Sequence, residues 1–295
     1  MKRNANVFIG MIISAVLVLT GCVDQSGQGA LKADADDLKI VATSPAVADI
    51  MARLDIDLIG VPESTLSQIP PRYDDVTRIG LAMNPDIEVI KTMNPDYVVG
   101  PAALQSDLEP KLKAAGLKGV FINLESVEGL YKSVDELGEL FGKQKEAQEM
   151  TDEFSSFYYE YSKVNKEKKS PTVLVLMGLP GSYVVATGKS YVGSLVRLAG
   201  GSNVYENEEK NFITVNTEEL QSKDPDIIVR AAHAMPEDVV EMFHEEFKTN
   251  DIWKHFRAVQ AGTVYDLPYG QFGMSAKFNF PEALKTLQPM IYGGE

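Results

Sequence analysis

The segment EVIKTMNPDYVV at Glu88–Val99 has a counterpart, EELQSKDPDIIV, at Glu218–Val229, 130 residues further on. In each copy a glutamate stands seven residues before a Pro-Asp pair that opens an apolar run. One such segment is an ordinary helix, turn and strand. Two, at corresponding places in two halves, point to halves of the same build. Between them lies a stretch of another kind. From 143 to 169, Ala147, Met150, Phe154, Phe157, Tyr161 and Val164 recur every three or four positions with polar residues between, and neither Pro nor Gly interrupts. That spacing predicts a long amphipathic helix, ~35–40 Å at ~1.5 Å per residue. Lysines near its end suit the helix dipole, and Pro171 lies just beyond. The chain is therefore expected to fold as two similar lobes joined by one helix, with a cleft between them.

Within each half, short apolar runs alternate with helical patterns. Leu38–Ala42, Leu58–Val61, Tyr97–Val99 and Gly119–Ile122 read as strands. Ser44-Pro45 caps a helix running through Met51 to Leu54, Asn84-Pro85 caps another, and a further helix runs from about Val127 to Phe141. A second alternation opens at Thr172–Met177. The expected class is α/β: two Rossmann-like lobes with mostly parallel central sheets and a ligand in the interlobe cleft. The boundaries are 38–142 for the first lobe, 143–169 for the connecting helix and 170–295 for the second lobe.

The beginning of the chain is a leader rather than fold. Lys2 and Arg3 precede an apolar run, Val7–Thr20, that is short for a bilayer span. It closes on Leu19-Thr20-Gly21-Cys22, which resembles a bacterial lipobox. Residues 1–21 are thus read as a lipoprotein signal peptide, Cys22 as the lipidated mature N-terminus, and 22–37, rich in Gln, Gly, Ser, Ala and Asp, as a flexible tether. Cys22 is the only cysteine, so no intramolecular disulfide forms. The formal net charge of −14 grows more negative once Lys2 and Arg3 leave, which argues against nucleic acid as a partner.

Three histidines narrow the search for chemistry. His244 lies among glutamates and reads as a solvated helix face; His255 follows Trp253 in a charged segment. His233 stands alone among small residues, just past the apolar run Ile227–Val229 and before Pro236, Glu237 and Asp238. That is the carboxyl end of a strand, where open α/β sheets bind their ligands. Among eleven methionines most are expected to fill core. Met83 is on a loop and free to project; Met235 and Met274 are also in loops, while Met93 and Met177 read as packing. The run Ala186–Ser190 looks like the tail of a phosphate loop, but Tyr183 stands where that loop needs glycine.

The lipobox, the paired Glu-x6-Pro-Asp segments, the long helix and the ending NDIWKHFRAVQAGTVYD resemble the helical-backbone substrate-binding proteins of ABC importers, which carry siderophores, cobalamin and haem. The likeness runs over 38–295. The segments VLMGLPGSYVVATGKSYVG, RAAHAMPEDV and IGLAMNPDIE are most similar to the haem-receptor lipoproteins of Gram-positive haem importers. The resemblance implies haem b as the transported ligand, with Met83 from one lobe and His233 from the other as axial iron ligands. A thioether with an imidazole suits haem iron and leaves no axial position open for oxygen. It also implies propionate contacts around Thr43, Ser44, Ala46 and Val47, where a helix start presents free N–H groups, and around Ser64 and Thr65. Glu88 and Glu218 are implied as one docking acid per lobe for the ABC permease. Further implications are an upstream cell-surface haem donor, a monomer lipid-anchored on the extracytoplasmic face of the cell membrane, and no enzymatic activity. Ferric siderophore or cobalamin is the alternative cargo, for which Arg230, Tyr183, Tyr191 and Tyr269 are the available recognition groups.

Overall fold

The structure is a computed structural model and describes residues 38–65, 67–164, 168–214 and 216–293. The expected signal peptide, the tether and Cys22 lie outside the described residues.

The first sheet is built from β1 (Ile40–Ala42), β2 (Gly60–Glu63), β3 (Thr77–Leu81), β4 (Asn84–Pro85), β5 (Tyr97–Pro101) and β6 (Gly119–Ile122). Their spatial order is β4-β3-β2-β1-β5-β6, parallel throughout except for the edge pairing of β4 on β3. The helices of this half are α1 (Pro45–Arg53), α2 (Ile87–Thr92), α3 (Gln105–Ala114) and α4 (Val127–Phe141). Then α5 (Gln144–Lys163) leads to the second half. Its strands are β7 (Thr172–Leu179), β8 (Ser182–Ala186), β9 (Ser202–Asn203), β10 (Phe212–Ile213), β11 (Ile227–Ala232) and β12 (Val264–Asp266). They lie in the order β10-β8-β7-β11-β12 with β9 also on β7, and β8 runs antiparallel to both of its neighbours. The accompanying helices are α6 (Tyr191–Leu198), α7 (Thr217–Lys223), α8 (Pro236–Thr249), α9 (Arg257–Gln260) and α10 (Phe280–Tyr292).

The central strands β1, β7 and β11 are buried on both faces, and so read as continuous apolar runs rather than alternating ones. The duplicated segment has a physical cause. Asp96 accepts the Lys39 N–H at 2.8 Å at the entry to β1, while its own N–H donates to the Lys39 carbonyl. Asp226 accepts the Thr172 N–H at 2.8 Å at the entry to β7 and donates to the Thr172 carbonyl in the same way. In both halves the aspartate pins the first strand to its parallel neighbour. The Asp226 carboxyl is held below the usual carboxylate range, first by the Thr172 N–H.

Helix α4 begins at Ser126, whose hydroxyl accepts the Gly129 N–H, and ends at Gly142 with φ 74°. The Gly142 turn sets α5 alongside α4, and Tyr131 stacks on Phe154 at 4.4 Å between centroids. On the other side, Phe157 meets Phe280 of α10 edge-on, and the Tyr161 hydroxyl donates to the Leu284 carbonyl. The helix therefore touches both halves. It stops at Lys163, short of the expected 169, and spans ~30 Å. Pro171 disfavours helical backbone at Ser170.

A second correction concerns Asn84-Pro85. These residues form β4, a two-residue edge strand opposite Gly80 and Leu81, and do not cap α2. Asp86 is the cap, accepting the Val89 N–H at 3.0 Å. Proline is tolerated on a sheet edge, where its missing donor leaves no ladder bond unmade.

Candidate functional site

One cavity of about 370 Å³ collects the carboxyl ends of strands from both sheets. Ser44, Pro45 and Ala46 follow β1, Ser64, Thr65 and Ser67 follow β2, and Pro101 ends β5. His233 follows β11, and Tyr269 to Lys277 follow β12. This volume is in the range of ordinary small-molecule sites. A larger, more polar cavity of about 640 Å³ adjoins it, sharing Glu63, Ser64, Thr65 and Ser67 and reaching Arg78.

His233 is fixed by its backbone. Its N–H donates to the Gly178 carbonyl at 2.9 Å, which extends the β11–β7 pairing one residue past the strand. The ring is half-buried against the cavity, and its Nδ1 is buried with no hydrogen-bond partner among the described residues. Nε2 is therefore the nitrogen left to a ligand. Two residues on, Met235 takes left-handed backbone, φ 46°, and α8 starts at Pro236.

Met83 sits with Ala82 in the two-residue turn between β3 and β4. The turn places its side chain at the cavity, 71 % exposed, beside Leu81 at 60 %. Thioethers this exposed are unusual, since methionine is ordinarily core. Met274 lines the same cavity, whereas Met235 does not. Met177 is buried core, and Met93 packs beneath Gly60 and Ile90. Sequence spacing did not reveal the hairpin that carries Met83.

The residues expected around an anion are divided by the structure. Ser44 caps α1, its hydroxyl accepting the Val47 N–H at 3.2 Å, and it also lines the cavity. Pro45 has no N–H, so the amide left free at this helix start is that of Ala46, which also lines the cavity. Thr43 and Val47 do not reach it: Thr43 is buried beneath Gly100, and Val47 is core with its amide already taken. Ser64 and Thr65 line both cavities, and the Ser64 hydroxyl accepts the Ser67 N–H. Lys277 was not singled out by any sequence signal, yet it is the single cation on the main cavity, where Glu63 is the single acid. Burial pushes its ammonium below the ordinary lysine range, with Asp49 pushing back.

Most groups that would favour a siderophore are engaged elsewhere. Arg230 is buried and makes a two-pronged bond to Asp266, its cross-strand partner, with the guanidinium over Phe247. His244 also reaches Asp266, at 3.2 Å, rather than being a purely solvated face. Tyr183 donates to Glu246, and burial raises its hydroxyl to about 12. Tyr191 is buried at 1 % exposure, leaving Tyr269 as the tyrosine on the cavity. Glu88 and Glu218 are both exposed in the first turns of α2 and α7, whereas Glu219 accepts the Tyr205 hydroxyl. Among the described residues no three His, Cys, Asp or Glu gather into a site for a bare metal ion.

Two α/β lobes with a ligand-sized cavity at facing strand ends are the architecture of bilobal binding proteins, and the periplasmic binding protein family matches over residues 40–269. This chain belongs to that family. Among periplasmic binding proteins and their relatives, the high-affinity haem uptake system protein IsdE of Staphylococcus aureus strain Newman is 39 % identical over 286 residues, 97 % of each chain. The crystal structure of S. aureus IsdE complexed with haem superposes with a TM-score of 0.80 at 41 % identity, covering 87 % of this chain and 99 % of that one. An ABC transporter substrate-binding protein from Listeria monocytogenes EGD-e superposes with a TM-score of 0.83 at 45 % identity, over 88 % and 100 %. The family match thus spans both sheets and the helix that joins them.

Proposed function

We propose that this protein is the lipid-anchored haem receptor of an ABC importer, binding haem in the cleft and delivering it to the permease for iron acquisition. The carrying observation is the single cavity shared by Met83 and His233, a sulfur and a nitrogen donor from different sheets. The donor set suits haem: a soft thioether and a neutral imidazole take the two axial positions, and a carrier is served by iron with none left open. Leu81, Ala82, Pro45 and Pro101 supply apolar wall for the porphyrin faces. The similarity to IsdE over nearly the whole chain supports the same cargo. Engagement of Arg230 and Tyr183 within the second lobe, and burial of Tyr191, weaken the siderophore alternative.

Lipid on Cys22 tethers the receptor outside the membrane, with the fold beginning near 38. Glu88 and Glu218, one exposed acid on each lobe, meet basic residues of the permease. Such opposed charges orient an encounter more than they strengthen it. A cell-surface haem donor loads the cleft.

The decisive measurement is hemin titration followed by absorption, on wild type, Met83→Ala and His233→Ala. Wild type is expected to bind one hemin with a six-coordinate spectrum. Each variant should lose that spectrum and at least the ~10–100-fold in affinity that removing even an outer-shell partner costs a metal site. A wild type that stays colourless, or two variants that titrate like it, would sink the proposal.

A further inference from the structure

The main cavity is lined by one cation, Lys277, which no hydrogen bond or ion pair engages among the described residues. Lys277 lies on the stretch between β12 and α10, where the chain leaves the second sheet and crosses to the first half. The Ala276 N–H donates to the Leu124 carbonyl at 2.7 Å, and Phe278 lies under the Arg53 guanidinium of α1 at 4.3 Å. This strap is thereby fastened on both sides of Lys277. The lysine stands where the main cavity opens into a neighbouring one of about 350 Å³, and it lines both. Its ammonium takes no hydrogen bond and no ion pair among the described residues; Asp49 on α1 is the acid whose charge it feels. Leaving a half-buried cation unpaired costs free energy unless a ligand brings the counter-charge.

The α1 end of this wall supplies donors as well, with Glu63 the acid that lines the main cavity. The Ala46 amide and the Ser44 hydroxyl stand at the positive end of α1, on the same wall. Arg78 is the competing cation, but it belongs to the adjoining polar cavity and not to the one shared by Met83 and His233.

We propose that Lys277 is the specificity residue for a carboxylate of the cargo, receiving it together with the Ala46 amide and the Ser44 hydroxyl. The inference rests on the haem reading, and it gives the cleft a means of preferring a porphyrin with free propionates over one without them.

The test compares hemin with hemin dimethyl ester, whose propionates carry no charge, on wild type, Lys277→Met and Lys277→Arg. Wild type should prefer hemin. Lys277→Met should lose ~10–100-fold for hemin, the range of a hydrogen bond to a charged group, and bind the ester as wild type does. Lys277→Arg should keep most of the preference. The axial-ligand bands should be unchanged in every loaded form. Equal losses for both ligands in Lys277→Met would show a structural role and overturn the proposal, as would an unchanged hemin preference. A wild type that binds hemin and ester alike overturns it while leaving the haem reading intact. A wild type that binds neither overturns both.

Discussion

The two lobes start from the same plan and diverge at one connection. In the first, β1 runs directly into α1, so a helix N-terminus with its Ser44 cap and free Ala46 amide stands on the cavity. In the second, β7 turns back through Gly181 into β8, and α6 begins only after that hairpin, at a fully buried Ser190 away from the cavity. The second lobe therefore presents no helix start to the ligand. It contributes His233 past β11 and Lys277 past β12 instead. The β7–β8 hairpin is thus what separates the two halves at the cavity. One offers backbone donors and a thioether on a turn; the other offers an imidazole and a cation.

The comparison can be broken most forcefully at two glycines. A Cβ on Gly178 would stand 2.7 Å from Phe243 and closer still to Val239, both side chains of α8. Gly178→Ala is expected to cost about 1–3 kcal/mol in chemical denaturation. Because the Gly178 carbonyl holds the His233 amide, hemin affinity should fall with it. On β5 of the first sheet, a Cβ on Gly100 would meet the Thr43 hydroxyl oxygen at 2.7 Å and Phe121 no closer than 3.6 Å. Gly100→Ala should cost less, about 1 kcal/mol, since one side chain rather than two must give way. Equal costs would mean that Thr43 is held as firmly against β5 as Val239 and Phe243 are against β7.

The paired aspartates give a smaller effect. Asp226 accepts from the Thr172 N–H and hydroxyl and meets Arg257 at 3.1 Å, while Asp96 accepts from Lys39 alone. Asp226→Asn should cost about 1 kcal/mol, allowing for partial exposure, and Asp96→Asn less. With its folded pKa depressed, the Asp226 contribution is complete above the unfolded carboxylate value of about 4 and is lost as pH falls below it. The gap between wild type and Asp226→Asn should therefore narrow below about pH 4 in melts.

Smallest is an ion-pair tie between the lobes. Arg197 of α6 reaches Glu128 of α4 at 2.9 Å and Glu206 at 3.0 Å. All three are partly exposed, so Arg197→Met should cost only about 0.5 kcal/mol. A cross-lobe distance probe should shift little in this variant, because α5 still bridges the halves. A swing of tens of degrees would show that the ion pairs, and not the helix, set the interlobe angle.

Much of this was readable from the amino-acid order. The repeated Pro-Asp segments locate both sheets because the aspartate performs the same hydrogen bonding twice. His233 could be found because small residues and a proline mark a strand end. Met83 was harder: β4 is two residues long, too short for any periodicity, and Asn84-Pro85 mimics a helix start that Asp86 provides. Arg230 misled because its neutralising partner, Asp266, is adjacent only through cross-strand register. An acid at the same depth of the next parallel strand was the available sign. Lys277 had none, since the strap from Pro268 to Asn279 is neither helix nor strand and local pattern carries no information there.

The cavity wall consists of turns, caps and the strap, with hardly any residue from the middle of a strand or helix. Folding and cargo choice are consequently encoded in separate sets of positions. New cargo preferences can arise by rewriting connections while both sheets stay as they are, and a binding protein of this build can be retargeted without being rebuilt.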